Sequence, residues 1–182
     1  MSRVVQIRVE PLTEEAFRPF GELISATDRP ADFHGVNSEG WKAGFEVDGP
    51  PLVMLLSSRS EGAQFTRLER HFGVTQTFIP LGQVPSVVAM AAPTAPDDPA
   101  AIPAPEEVRG FLIDGSAGYV LKRGTWHSLD RYPLSREASQ IVIITGQSTQ
   151  VELENAPRAQ WRLTQDVDYA SQYGVTFELI VP

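Results

Sequence analysis

Phe65-Thr66-Arg67-Leu68-Glu69-Arg70-His71, continuing through Gln76 to Gly82, is the stretch on which the fold reading turns. On a β-strand successive side chains point to opposite faces, so Arg67, Glu69 and His71 share one face while Thr66, Leu68 and Arg70 share the other. A guanidinium able to hold a carboxylate, a carboxylate, and an imidazole that titrates near neutrality then line one wall. Turned into a cavity, that wall is a small-molecule site. Turned to water, it is an ordinary charged strand face.

A second stretch, Gly118-Tyr119-Val120-Leu121-Lys122-Arg123-Gly124-Thr125-Trp126-His127, favours the cavity. Together the two resemble the paired motifs of the cupin barrel, which typically carry His-x-His, a Glu and a Gly in the first, and Gly, Pro-x-Gly and a His in the second. Glu69, His71, Gln76 and Gly82 stand in the first set, and Gly118, Lys122, Gly124 and His127 in the second. The closer resemblance is to the ureidoglycolate lyase family of cupins. It is carried by Leu68-Glu69-Arg70-His71 with Thr75-Gln76-Thr77-Phe78-Ile79-Pro80, by Arg109-Gly110-Phe111-Leu112-Ile113, and by Arg123-Gly124-Thr125-Trp126-His127. The opening Pro11-Leu12-Thr13-Glu14-Glu15-Ala16-Phe17 with Phe20-Gly21 adds to it. The family pattern has a His where this chain has Lys122, a second His at Ser128, and an Asp-Arg pair near Thr145. The chain therefore reads as a diverged member.

The resemblance implies an all-β, cupin-like barrel (double-stranded β-helix or jelly roll) with a few short helices. It also implies that the two motifs lie on facing strands, bringing Arg67, Glu69, His71, Gln76, Arg123 and His127 into one cavity. The implied reaction is cleavage of ureidoglycolate to glyoxylate and urea, in allantoin and purine nitrogen catabolism. Breaking that C–N bond needs a base at the hydroxyl and an acid at the departing nitrogen, work suited to histidine and carboxylate. The expected catalytic groups are Glu69 or His71 as base and His127 as acid, with Lys122 in support. Arg67 or Arg123 would hold the substrate carboxylate, and Gln76 and Trp126 complete the expected contacts. Glu69, His71, Gln76 and His127 are also candidate ligands for a divalent metal, nickel or manganese. Gln76 is a weak ligand and the family's additional histidines are missing, so the reading leans to a metal-free site. Two alternatives stay open: a cupin lyase or isomerase acting on another small α-hydroxy or α-keto acid, and a non-catalytic cupin that binds a small acid.

The 182 residues fit one domain, 1–182, long enough to bury roughly 70% of the unfolded surface. A formal charge of −8 disfavours nucleic acid as a partner and leaves a small anion dependent on local arginines. The absence of cysteine rules out disulfides and thiolate zinc sites and fits a cytoplasmic setting. The polar head Met1-Ser2-Arg3-Val4-Val5-Gln6 lacks a signal peptide's apolar run, and no stretch approaches the ~20 apolar residues of a membrane span.

Along the chain, residues 4–9 alternate as a strand, and Thr13 reads as the N-cap of a very short helix with Glu14 and Glu15 in its first turn. Residues 26–40 read as a loop containing His34, a lone histidine more suited to solvent than to the site. Trp41, Ala43, Phe45 and Val47 alternate with polar partners and predict a half-buried strand. Further strands are expected at 52–58, 86–92, 108–114, 119–123, 139–145, 151–153 and 175–181, with a turn of helix near 166–173. Five prolines between Pro93 and Pro105 mark residues 93–107 as a loop inserted within the domain, ordered or mobile. The open edge of such a sandwich invites pairing with a symmetry mate, so a homodimer is expected.

Overall fold

The computed structural model describes residues 3–26, 30–59 and 62–181. The readings of Met1 and Ser2 at the head, and of residues 27–29 within the 26–40 loop, lie outside the described residues.

The chain runs through β1 (Arg3–Pro11), α1 (Glu14–Phe17), β2 (Gly21–Ile24), the short ribbon β3 (Phe33–His34) and β4 (Glu39–Gly40), and β5 (Pro51–Ser58). It continues with β6 (Gln64–Phe65), β7 (Arg67–His71), β8 (Thr77–Leu81), β9 (Ser86–Ala91), β10 (Arg109–Ile113), β11 (Gly118–Leu121), β12 (Trp126–Ser128) and β13 (Tyr132–Pro133). It closes with β14 (Ser139–Gly146), α2 (Gln147–Asn155), β15 (Thr164–Asp168), α3 (Tyr169–Tyr173) and β16 (Val175–Ile180). A large curled sheet, ordered β15-β7-β12-β9-β10-β1-β16-β6 with β13 also on β9, packs against a smaller one ordered β2-β11-β8-β14-β5. This is a cupin-like β fold.

Two cores follow from the curl. Between the sheets, Phe17, Phe20, Phe78, Val88, Met90, Phe111, Tyr119 and Ile141 are buried together. On the outer face of the large sheet, Leu68, Val87, Ala89, Ala91, Trp126, Val167, Tyr169 and Phe177 form a second cluster. Because β9 faces both, every residue from Ser86 to Ala91 is buried, which explains its unbroken apolar run. Thr13 caps α1 by accepting from the Ala16 N–H at 3.2 Å. That turn drives the fully buried Phe17 ring edge-on into Phe111 at 5.7 Å and Tyr119 at 5.6 Å. Gly21 sits so close to β11 that a Cβ would lie 1.8 Å from the Val120 carbonyl oxygen, so only glycine allows the β2–β11 pairing.

The proline-rich stretch 93–107 joins β9 to β10 and is pinned to the outer face. Arg70, fully buried, donates to the Thr94 carbonyl at 3.0 Å, and the Trp126 indole N–H donates to the Thr94 hydroxyl at 3.1 Å. The Tyr169 hydroxyl donates to the Pro103 carbonyl at 2.9 Å.

Three expectations need correction. Residues 41–46 form no ladder; only Val47 makes a bridge, to Val74. Their backbone N–H groups go to side chains instead, Lys42 to Asp32, Gly44 to Glu22 and Glu46 to Thr75, so extended alternation exists without a partner strand. Residues 151–153 lie inside α2, where good helix formers surround a Val-Glu-Leu triplet too short to establish a period. The turn expected at 166–173 divides into β15 and then α3, which is capped by the Asp168 side chain and stopped by Gly174 at φ 62°.

Candidate active site

The two motifs are hydrogen-bonded neighbours, not strands facing across the barrel. β12 pairs antiparallel with β7 in the register His127↔Glu69 and Ser128↔Leu68. Directly paired residues share a face, so Glu69 and His127 project together into the space between the sheets while Trp126 and Ser128 project outward. Gly124, at φ 77°, makes the turn that returns the chain onto β7, and its N–H donates to the His71 carbonyl at 2.8 Å. From the facing sheet, Gln76 enters just ahead of β8 and donates to the Thr145 hydroxyl at 3.4 Å.

A compact cluster results. Glu69 Oε1 lies 3.7 Å from His71 Nε2 and 4.0 Å from His127 Nδ1, and the two imidazole centroids are 5.3 Å apart. His127 Nδ1 lies 3.1 Å from the Ser128 carbonyl oxygen, which can only accept, so Nδ1 carries the proton and Nε2 the lone pair. His71 Nδ1 lies 3.0 Å from the Thr164 hydroxyl. The Nε2 atoms of His71 and His127 and the Oε1 of Gln76 are buried with no hydrogen-bond partner among the described residues. Buried polar atoms are almost always satisfied, so three orphans converging on one place mark where a ligand belongs. A tight crevice is bordered by His71, Gln76, Lys122 and His127.

Burial dominates the electrostatics. Desolvation pushes the Glu69 carboxyl up from 4.5 to about 7, against the opposing pull of the Arg131 guanidinium. It pushes His71 down to about 4 and His127 well below the usual imidazole range, with the positive charge of Arg131 adding to both shifts. Near neutral pH the imidazoles are uncharged and the carboxyl takes both forms.

Neutral imidazoles with free Nε2 atoms and their Nδ1 atoms held by a hydroxyl and a carbonyl are arranged as metal-binding histidines are. One donor atom from each of Glu69, His71 and His127 falls within 4.8 Å of the others. This set fits a divalent transition metal, with Gln76 Oε1 as a further oxygen donor.

The remaining expected site residues are engaged elsewhere. Arg67 forks onto Asp166 and Asp168 of the neighbouring β15. Arg123 makes a two-pronged pair with Asp48, at 2.9 Å to each oxygen. The Lys122 ammonium donates to the Arg18 carbonyl at 2.6 Å, leaving its stem on the cleft. Trp126 is fully buried on the outer face beneath Arg70, 4.6 Å from that guanidinium to the ring centroid. His34 pairs with Glu39 across the exposed β3–β4 ribbon.

Sequence reasoning passed over Arg131. Only 2% exposed, it lies in the interior with its guanidinium 4.4 Å from the Phe78 ring centroid. It comes from the irregular segment between β12 and β13, where no periodicity marks a direction for a side chain.

The ureidoglycolate lyase family model matches residues 4–163. The ureidoglycolate lyase of Burkholderia cepacia is 33% identical over 135 residues, 70% of this chain and 73% of the relative. That of Burkholderia mallei is 30% identical over 172 residues, 88% and 94% of the two chains. That of Azotobacter vinelandii is 31% identical over 131 residues, 66% and 74%.

Proposed function

The chain belongs to the ureidoglycolate lyase family, and from that premise we propose that it cleaves ureidoglycolate to glyoxylate and urea. The observation that carries the reading is the buried convergence of Glu69, His71 and His127 around unpartnered nitrogen atoms. The reaction moves one proton off the substrate hydroxyl as the C=O bond forms, and delivers one to the ureido nitrogen as the C–N bond breaks. Glu69 is suited to both transfers, since burial lets its carboxyl exist protonated or ionised near neutrality. His127, its Nδ1–H fixed on the Ser128 carbonyl, presents only a lone pair inward. We therefore assign the acid to Glu69 and give the two imidazoles an accepting, orienting role. A divalent metal held by Glu69, His71 and His127 would take Glu69 as the ionised carboxylate, and Lewis-acid polarisation of the substrate oxygens would then stand in place of its acid role.

The family relatives named above all carry the lyase name, and no observation favours another hydroxy or keto acid or a purely binding role. We further propose that the protein works in the cytoplasm, in purine nitrogen catabolism. No described helix is long and apolar enough to cross a membrane. A homodimer is supported by β5, an edge strand of the smaller sheet that exposes Val53 at 66% and Leu55 at 54%.

The test is release of glyoxylate with equimolar urea and no ammonia from ureidoglycolate, measured against spontaneous decay in the same buffer. Failure to exceed that background, with and without added nickel or manganese, would end the proposal.

A further inference from the structure

We propose that Arg131, rather than either motif arginine, holds the carboxylate of the substrate inside the barrel. Arg67 and Arg123 are already committed to Asp166, Asp168 and Asp48. Arg131 is not: among the described residues no carboxylate lies within 4 Å of its guanidinium. Its contacts are all to neutral groups. Nε donates to the Tyr119 hydroxyl at 3.2 Å, and Nη1 to the Ser128 carbonyl at 2.9 Å and the Asp130 carbonyl at 3.4 Å. The Phe78 ring lies 4.4 Å away.

A buried cation needs an anion or a full set of hydrogen bonds. Arg70, also buried with no carboxylate in reach among the described residues, has all three guanidinium nitrogens bonded to Gln165, Thr94 and Ala95, and Arg131 has not. Neutral carbonyls and a ring face orient this guanidinium without cancelling its charge. Nη2 has no partner among the described residues, and the Tyr119 hydroxyl, which accepts from Nε, keeps its own proton to donate. Two donors therefore stand ready beside a fixed positive charge. The Phe78 ring that Arg131 covers also packs edge-on against His127, with centroids 6.2 Å apart, so the charge sits one ring away from the reacting cluster. A small α-hydroxy or α-keto carboxylate could then place its anionic end on Arg131 and Tyr119 and its C2 atom toward Glu69.

The reaction chemistry rests on the proposed lyase function, but the anion site does not, and two measurements separate them. The first is calorimetric titration of the holoenzyme with glyoxylate, with metal content matched across variants. Arg131→Gln should weaken binding on the order of 10²-fold, the usual result of stripping a buried charge from its partner, and Arg131→Lys on the order of 10-fold. The second compares turnover of ureidoglycolate with that of N-(hydroxymethyl)urea, the same carbinolamide without its carboxylate. Wild type should favour ureidoglycolate on the order of 10²-fold, and the Lys variant should lose about 10-fold of that preference. Glyoxylate binding in Arg131→Gln within about 3-fold of wild type overturns the proposal. Should the Gln variant fail to fold, an unchanged preference in the Lys variant does so. Arginine-dependent glyoxylate binding without any turnover would sustain the anion site and refute the lyase function.

Discussion

Replacing Glu69 by Gln should make the metal-free protein more stable at alkaline pH while removing its activity. The side chain is only 13% exposed, and burial lifts its carboxyl from 4.5 to about 7. Between those values the folded chain holds a proton that the unfolded chain has released, so the folded state loses relative stability as pH rises through this window. At about 1.4 kcal/mol per pH unit, the ionised carboxylate costs ~3 kcal/mol at pH 8, an upper bound. Gln carries no charge to desolvate, and its amide stands near the unpartnered Nε2 of His71, 3.7 Å from Glu69 Oε1. His71, displaced downward to about 4, withdraws stability as pH falls below 6.5, but it does so in both proteins and largely cancels in the difference. The expected gain is therefore ~1–3 kcal/mol at pH 8, a rise in Tm of about 3–10 °C for a chain of this size, shrinking toward zero below pH 4.5. Thermal melts of chelator-treated wild type and variant across pH 4.5–8.5 measure it. A variant less stable than wild type at pH 8, or one shifted equally at both ends, would refute the burial argument.

His127→Ala should lower turnover on the order of 10²-fold or more, because it removes both a lone pair at the reacting centre and one of three clustered donors. If those donors hold a metal, elemental analysis of protein purified without chelators finds one divalent ion per chain in wild type and loss of it in this variant. Arg123→Ala should leave KM within about 2-fold, since a surface pair with Asp48 contributes little; a KM increase of 10-fold would return that guanidinium to the site. Val53→Lys with Leu55→Lys should shift sedimentation from twice the chain mass to the chain mass if β5 is the dimer edge, with unchanged circular dichroism as the folding control.

The fold was legible where one physical requirement governs one stretch. The unbroken run Val87-Val88-Ala89-Met90-Ala91 requires apolar surroundings on both faces, and it has them. Thr13 followed by two acidic residues caps a helix with no help from the rest of the chain. Alternation at Trp41, Ala43, Phe45 and Val47 misleads because period two is a property of extended backbone, whether or not another strand is present to bond it. The ladder depends on partners, and there the partners are the side chains of Glu22, Asp32 and Thr75.

The same distinction between a residue's nature and its partner governs the site. Glu69 and His71 share an inward face through strand periodicity, and His127 joins them whether its strand lies beside β7 or across from it, so these three were readable from the sequence. Charge commitment was not. Arg67 is neutralised by residues 99 and 101 positions away, and Arg123 by one 75 positions away, pairings that no local pattern announces. Arg131 shows the converse, an irregular segment that carries a charge inward and leaves it, among the described residues, with no carboxylate within 4 Å. The interior keeps a positive charge near a carboxyl whose ionisation it eases, on a guanidinium with one nitrogen unpartnered among the described residues, and an anionic substrate is drawn to it.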